Sequence, residues 1–270
     1  MTGPVVLVGC GNMGRAMLEG WLASGKLKPG QALVVEPTDA LRARAAALGA
    51  AALTDAGEIG ADVAPRLVVF AVKPQVILDV IPPYARFKGS ATYVSVAAGT
   101  PIAAFERLLG GDAAVIRCMP NTPAAIGKGM MVTVANPNVK PEAAGFVRAL
   151  LAASGAVAEI ADEALMDAVT ALSGSGPAYV FLFIECLTAA GEAAGLPADT
   201  AKLLAMQTVY GAASLAKESD EEPGELRRQV TSPNGTTAAA LAVLMDGDRL
   251  KTLVTEAVEA ARKRSVELRG

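Results

Sequence analysis

Histidine is absent from this 270-residue chain. That lack removes several chemistries together: serine–histidine–aspartate and cysteine–histidine nucleophiles, imidazole acid–base work and histidine metal sites. Aromatic residues make up only 4%, so the cores must be built from Ala, Val, Leu and Ile. The three cysteines, Cys10, Cys118 and Cys186, are odd in number and irregularly spaced. They fit neither a disulfide framework nor a metal site, and they point to a reducing compartment. The net charge is -3 and no Lys/Arg cluster stands out, so no nucleic-acid partner is expected. The longest apolar run, Tyr179 to Ala190, is interrupted by Glu185 and is too short to span a bilayer. It reads as a buried helix, and no membrane partner is expected. A strand-like run begins already at Pro4, which leaves no room for a signal peptide. These absences predict a soluble, cytoplasmic protein without a metal, whose catalysis rests on a cofactor, backbone dipoles, hydroxyls, carboxylates or lysine.

The residues that are present, 52% hydrophobic and 19% charged, exclude disorder, and the length suits two modest domains. Up to residue 160 short β-branched runs alternate with Ala-rich helical stretches. Strands are expected at Val5–Val8, Ala32–Val35, Arg66–Val72, Thr92–Ala97, Ala113–Cys118, Met130–Ala135 and Val157–Ile160. Helices are expected at Met13–Ser24, Asp39–Leu48, Ile102–Leu109 and Glu142–Ala152. This alternation predicts an α/β domain, residues 1–160, with a parallel sheet covered on both faces. From 161 to 270 nothing resembles a strand. Helices are expected at Glu163–Ala171, Pro177–Ala194, Ala198–Lys217, Pro223–Val230, Thr236–Asp246 and Arg249–Leu268. The helix from Pro177 is apolar nearly all round, which a small helical domain cannot bury alone, so it predicts a subunit interface.

Gly9-Cys10-Gly11-Asn12-Met13-Gly14 joins the first strand to the first helix. In that context the spacing is a dinucleotide fingerprint. Gly9 permits the tight turn, Gly11 lets the backbone approach the pyrophosphate, and Gly14 lets the helix pack on the sheet. The helix N-terminus offers amides to the phosphates; the alternative is a structural Gly-rich turn. Glu36 closes the second strand where an acidic residue meets the adenosine ribose, which leans to NADH. Against that, Thr38 could bond a phosphate, and no arginine lies closer than Arg42; a solvated Glu before Pro37 is the plainer reading. The cofactor is thus NADPH or NADH. The turns Ala71-Val72-Lys73-Pro74 and Ala97-Ala98-Gly99-Thr100 follow later strands, so they should wall the cofactor crevice. Lys73 could neutralise cofactor charge or simply be solvated. Asn121 could offer its amide to the nicotinamide end or merely order a turn.

Two Gly/Ser/Pro segments interrupt the helical half: Leu172-Ser173-Gly174-Ser175-Gly176-Pro177-Ala178-Tyr179 and Thr231-Ser232-Pro233-Asn234-Gly235-Thr236-Thr237. Both have the composition of helix starts with free amides, which attract carboxylates, or of ordinary capped starts. With Gly9–Gly14, Ala71–Gln75 and Arg117–Pro123, these segments resemble, in order and over almost the whole chain, pyrroline-5-carboxylate reductases. The resemblance implies an α/β Rossmann-type N-terminal domain followed by an all-α C-terminal dimerisation domain. It also implies reduction of a cyclic imine carboxylate, a small-molecule substrate, as the last step of proline biosynthesis, by a homodimer or a larger ring of dimers. By position, Ser232 and the backbone after it, with Asn234, Gly235 and Thr236, would hold the substrate carboxylate. Thr237 would place its hydroxyl near the ring nitrogen, and Ser175 and Gly176 would shape the pocket floor. Where the family often has Gly-Gly after Ser-Pro, this chain has Asn234-Gly235; Asn tolerates left-handed backbone, so the loop shape should survive.

Such a reaction needs no histidine. A cofactor carries the hydride, and an imine nitrogen is basic enough to bind protonated or to take its proton through a hydroxyl or water. A β-hydroxyacid dehydrogenase shares the two-part plan but typically uses a lysine on a helix of the second domain, and Pro177–Gly195 contains none. A cofactor-binding regulatory protein without turnover is the reading from another class.

Overall fold

The computed structural model describes residues 3–268. Contacts divide the chain into two compact units: one runs to Ser175 and takes in the end of the last helix from Ala261, and the other is Gly176–Ala260.

The first unit is built in the order β1 (Val5–Val8), α1 (Asn12–Ala23), β2 (Ala32–Val35), α2 (Asp39–Ala47), β3 (Ala51–Leu53), β4 (Leu67–Phe70), α3 (Ile77–Val80), β5 (Thr92–Ser95), α4 (Ile102–Leu109), β6 (Val115–Met119), β7 (Gly129–Ala135), α5 (Pro141–Leu151), β8 (Gly155–Glu159) and α6 (Met166–Val169). The strands form one sheet in the order β3-β2-β1-β4-β5-β6-β7-β8. β1 lies third in that order, with Val5 opposite Ala32 on one side and Leu67 on the other, both parallel. Every residue of β1 and β4 is buried, because helices cover both faces of the sheet; that is why these strands read as continuous apolar runs. Alternate side chains feed two cores. Val5 and Leu7 join Met17, Trp21 and Leu150, while Val6 and Val8 join Phe70, Tyr84 and Phe105, as the two-residue period of a strand requires.

The expected parallel sheet holds only as far as β6, since β7 runs antiparallel to it. The connection from Met119 to Gly129 carries just a short 3-10 turn, Thr122–Ile126, whereas a parallel return needs a crossover of roughly a dozen residues or more. α5 supplies such a crossover, and β8 is parallel to β7. Beyond β8 the chain is pinned to the sheet by the buried Arg117, whose guanidinium meets Glu163 at 2.9 Å. The same carboxylate oxygen accepts from the Ile102 amide at the head of α4. Ser265, near the end of the last helix, donates to Asp167 at 2.8 Å in a buried contact.

The second unit is helical: α7 (Gly176–Ala193), α8 (Ala198–Glu218), α9 (Pro223–Gln229), α10 (Thr236–Met245) and most of α11 (Arg249–Glu267). Gly195, in left-handed backbone at φ 97°, ends α7; the Leu196 amide then reaches back to the Gly191 carbonyl, a Schellman closure. α7 meets α8 through small residues: a Cβ on Gly191 would stand 3.1 Å from that of Ala201, and Ala201 and Ala205 are the buried positions of α8. On α7 no residue is buried, and Phe181 and Leu182 are 57% and 59% exposed. The helical run Glu163–Ala193 spans 31 residues, with a bend at Ser175 within it. By length and composition alone it could cross a membrane, which the shorter run Tyr179–Ala190 did not suggest; only 6% of its apolar window is buried.

Candidate active site

At the carboxyl end of β1, beside the point where the strand order reverses, lies a cavity of about 500 Å³. Ligands collect at such points in open α/β sheets. Gly9, Gly11, Glu36, Ala71, Val72 and Lys73 line it. Gly9 leaves β1 at φ 89°, and a Cβ there would lie 2.8 Å from Val72 Cγ1. A Cβ on Gly14 would overlap the Gly9 carbonyl oxygen, so α1 can start this close to the strand only with glycine. A Cβ on Gly11 would meet nothing within 4 Å; it faces open space at the cavity wall. Gly11 caps α1 without a side-chain bond, so the first-turn amides of Asn12, Met13 and Gly14 have no carbonyl one turn back. An unobstructed glycine turn ending in unpartnered amides fits a pyrophosphate.

Glu36 is buried, 5% exposed, which excludes the solvated reading. Its Oε2 accepts from the Cys10 amide at 2.7 Å and its Oε1 from the Thr38 amide at 3.0 Å. The carboxylate therefore stitches the glycine turn to the end of β2. Burial first, and the charge of Glu36 second, push the Cys10 thiol up to about 11, eased slightly by Arg15. Cys10 is a protonated spacer whose backbone matters more than its sulfur.

Other cavity residues escaped the sequence reading. Thr54, Asp55 and Ala56 line it, delivered by β3, a three-residue edge strand without a β-branched side chain. Tyr84 closes the base, held by the Tyr93 hydroxyl, which donates to its carbonyl at 2.9 Å. The only available signal was Asp55 ahead of Gly57, whose amide it caps. Lys73 is exposed at the cavity's edge, with Pro74 opening a 3-10 turn behind it. Ala97 and Gly99 are not among the residues lining the cavity. Ala97 is buried, and Gly99, at φ 77°, has room for a Cβ only 3.2 Å from the Leu268 carbonyl.

Asn121 departs from expectation. Its Nδ2 donates to the Ser173 carbonyl and hydroxyl at 3.2 and 3.4 Å, and its Oδ1 accepts from the Met130 amide. The amide is engaged at both ends, which fits the turn-ordering alternative, and it positions Ser173. The segment it holds also differs from expectation. Residues Thr170–Gly174 form a π turn that runs into α7, with the Ser175 amide bonded to the Thr170 carbonyl at 2.9 Å. There is no free helix start before Pro177. The glycine and serine residues accommodate a widened turn, and Gly174 is needed because a Cβ there would overlap Met119 Cε. Such turns mark functional positions more often than chance.

The second segment is a true helix start. Asn234 sits in left-handed backbone at φ 58°, the Gly235 amide closes a turn on the Ser232 carbonyl at 3.1 Å, and α10 begins at Thr236 with no side-chain cap. A Cβ on Gly235 would overlap Ser232 Oγ. The amides of Thr236, Thr237 and Ala238 are thus left unpaired by the helix itself, beside the exposed Ser232 and half-buried Thr237 hydroxyls.

A family model described as pyrroline-5-carboxylate reductase dimerisation matches residues 163–268. Another, described as NADP oxidoreductase, coenzyme F420-dependent, matches residues 4–99. The chain is 41% identical to the pyrroline-5-carboxylate reductase of Pseudomonas aeruginosa, covering 98% of this chain and 96% of that one. Among solved structures, the pyrroline-5-carboxylate reductase of Coxiella burnetii superposes with a TM-score of 0.94 at 33% identity, each chain covered in full. The Plasmodium falciparum pyrroline carboxylate reductase with NADP bound superposes at 0.85 and 30% identity, covering 100% of this chain and 99% of the other. Matched along its whole length in sequence and in fold, with both signature turns formed, the chain belongs to the pyrroline-5-carboxylate reductase family.

Proposed function

We propose that this chain reduces 1-pyrroline-5-carboxylate to L-proline with NADPH or NADH, the last step of proline biosynthesis. The observation that carries the reading is the pairing, in one chain of this family, of an unobstructed glycine cradle at Gly9–Gly14 with an uncapped helix start at Ser232–Thr237. Residues 1–160 hold the dinucleotide, and residues 161–270 dimerise and hold the substrate.

When bound, the reduced nicotinamide supplies the hydride. The chain's own residues bind and orient. Gly9 to Gly14 take the pyrophosphate on backbone amides, and Glu36 takes the adenosine ribose. Ala71, Val72, Lys73 and Pro74 shape the rest of that site, while Asn121 acts indirectly through Ser173. The substrate carboxylate is held by Ser232 and by amides of the turn through Asn234, Gly235 and Thr236, where the helix dipole favours an anion. Thr237 orients the ring nitrogen through its hydroxyl, which passes or holds one proton, and Ser175 and Gly176 shape the pocket floor. Iminium charge does the activating, so a strong side-chain acid is unnecessary.

The helical half works as an oligomer. Phe181, Leu182 and Phe183 on α7 and Leu203 and Tyr210 on α8 are large side chains left exposed in the single chain, and apolar surface of this kind marks an interaction site. A second copy covers it in a homodimer, from which rings of dimers can grow. Glu185 and Glu192 within α7 favour a protein partner over lipid, and the cytoplasm is the proposed compartment.

The test is NADH and NADPH oxidation with pyrroline-5-carboxylate beside a six-membered imine analogue. Turnover on the five-membered ring supports the reading. Cofactor binding without turnover on either imine would make the protein a binding module, and oxidation of a β-hydroxyacid would make it the rival dehydrogenase.

A further inference from the structure

We infer that the end of β2 is built to select NADH over NADPH, with Glu36 as the discriminating residue and Arg42 withdrawn from any phosphate-binding role. The inference rests on the cavity's being the NAD(P)H site. At its adenosine end the buried Glu36 carboxylate is clamped by the Cys10 and Thr38 amides at 2.7 and 3.0 Å. Each carboxylate oxygen has a second lone pair, so the clamped group still accepts from a vicinal diol, whose hydroxyls donate. A 2′-phosphate brings only acceptors and extra negative charge. Glu36 cannot swing aside without unpairing two backbone amides.

The arginine and the backbone amide nearest a 2′-phosphate are already engaged, which leaves the uncapped Thr38 hydroxyl as the neutral donor there. Arg42 Nη1 donates to the Glu36 and Pro37 carbonyls, each at 3.0 Å, and Nη2 pairs with Asp39. Its guanidinium is thereby turned to cap the β2 turn. Arg44 lies two residues further along α2, roughly 200° round the helix from Arg42. The Thr38 amide, the nearest backbone donor, is taken by Glu36. On the facing side Asp55 lines the same cavity, and Glu58 accepts from the Thr54 amide behind it. Carboxylates therefore crowd this end, and Lys73 is the cation among the cavity-lining residues. NADP bound to the Plasmodium relative shows that the fold accepts a phosphate; the choice lies in these few residues.

The experiment is a fluorescence titration of the full chain with NADH and with NADPH, without substrate. The wild type should bind NADH at least about tenfold more tightly. Glu36→Ser and Glu36→Gln should each shrink that ratio about tenfold, chiefly by improving NADPH. Both variants should first be shown folded by circular dichroism. Equal affinities in the wild type, or a ratio that neither folded variant moves, would overturn the inference. The wild-type titration stands even if both variants fail to fold. Turnover distinguishes the two readings. Reduction of pyrroline-5-carboxylate with NADPH as efficiently as with NADH defeats the selectivity and spares the activity. Tighter NADH binding without turnover spares the selectivity and defeats the activity.

Discussion

β1 and α7 are both almost wholly apolar, yet their surroundings are opposite. All four residues of β1 are buried within one chain; none of α7's eighteen is. The first unit satisfies its apolar surface internally, with Trp21 at 1% exposure and Phe70 edge-on to Tyr84 at 5.3 Å. The second unit buries little beyond the small-residue seam of Ala201 and Ala205. Stability in the first is therefore a property of the chain, and in the second a property of the assembly.

The sharpest way to break this contrast is a pair of substitutions. Trp21→Ala should cost about 3–5 kcal/mol, read as a lower urea midpoint that does not change with protein concentration. Phe183→Glu should leave the sheet unit folded but reduce the assembly to monomers in a solution mass measurement. Its thermal midpoint should drop and become independent of concentration, since a charge placed at an interface centre costs several kcal/mol, roughly 2–4. A Phe183→Glu protein of unchanged mass would show that α7 is not the contact.

The same contrast explains what could be read from sequence. β1, β2 and α4 were legible to the residue because burial or periodicity repeats a local pattern. β3 was not: Ala51-Ala52-Leu53 is only partly covered at the sheet edge, so pairing with β2 rather than its own composition makes it a strand. The reversal at β7 depends on the shortness of a connection. The π turn at Thr170–Gly174 looked like a break because glycine and serine weaken helix locally, while Asn121 and Met119 hold the widened turn from elements distant in sequence. In the site, the glycine cradle and Glu36 were visible as residue types at fixed spacing. The engagement of Arg42 and Asn121 was not, because hydrogen-bond partners are chosen in three dimensions.

Thr237→Ala tests the second unit's chemistry. It should lower kcat about 100-fold while leaving NADH affinity within about twofold. An unchanged kcat would remove Thr237 from the proton path, and a matching loss of NADH affinity would mean a general disturbance instead.

Thiol labelling compares the units within one molecule. Cys10 and Cys118 are buried, and burial pushes their thiols up to about 11 and about 12. Both should react with a maleimide only after unfolding. Cys186 is exposed in the single chain and lies three residues beyond Phe183, on the same helical face. Its labelling should slow severalfold as protein concentration rises and assembly covers α7. A rate independent of concentration would place Cys186 outside the interface.

The smallest expected effect lies at Asn234, whose left-handed backbone at φ 58° allows the Gly235 amide to close on Ser232 and start α10. Asn234→Ala should cost about 1 kcal/mol, a fall of roughly 2–4 °C in Tm. Asn234→Gly should be near neutral, because relief of strain offsets the greater freedom of the unfolded glycine. KM for the imine should rise in Asn234→Ala and hold in Asn234→Gly, since the turn's shape, and not the Asn side chain, aims the amides of Thr236 and Thr237. Equal KM changes in both variants would assign the substrate contact to the Asn234 side chain itself.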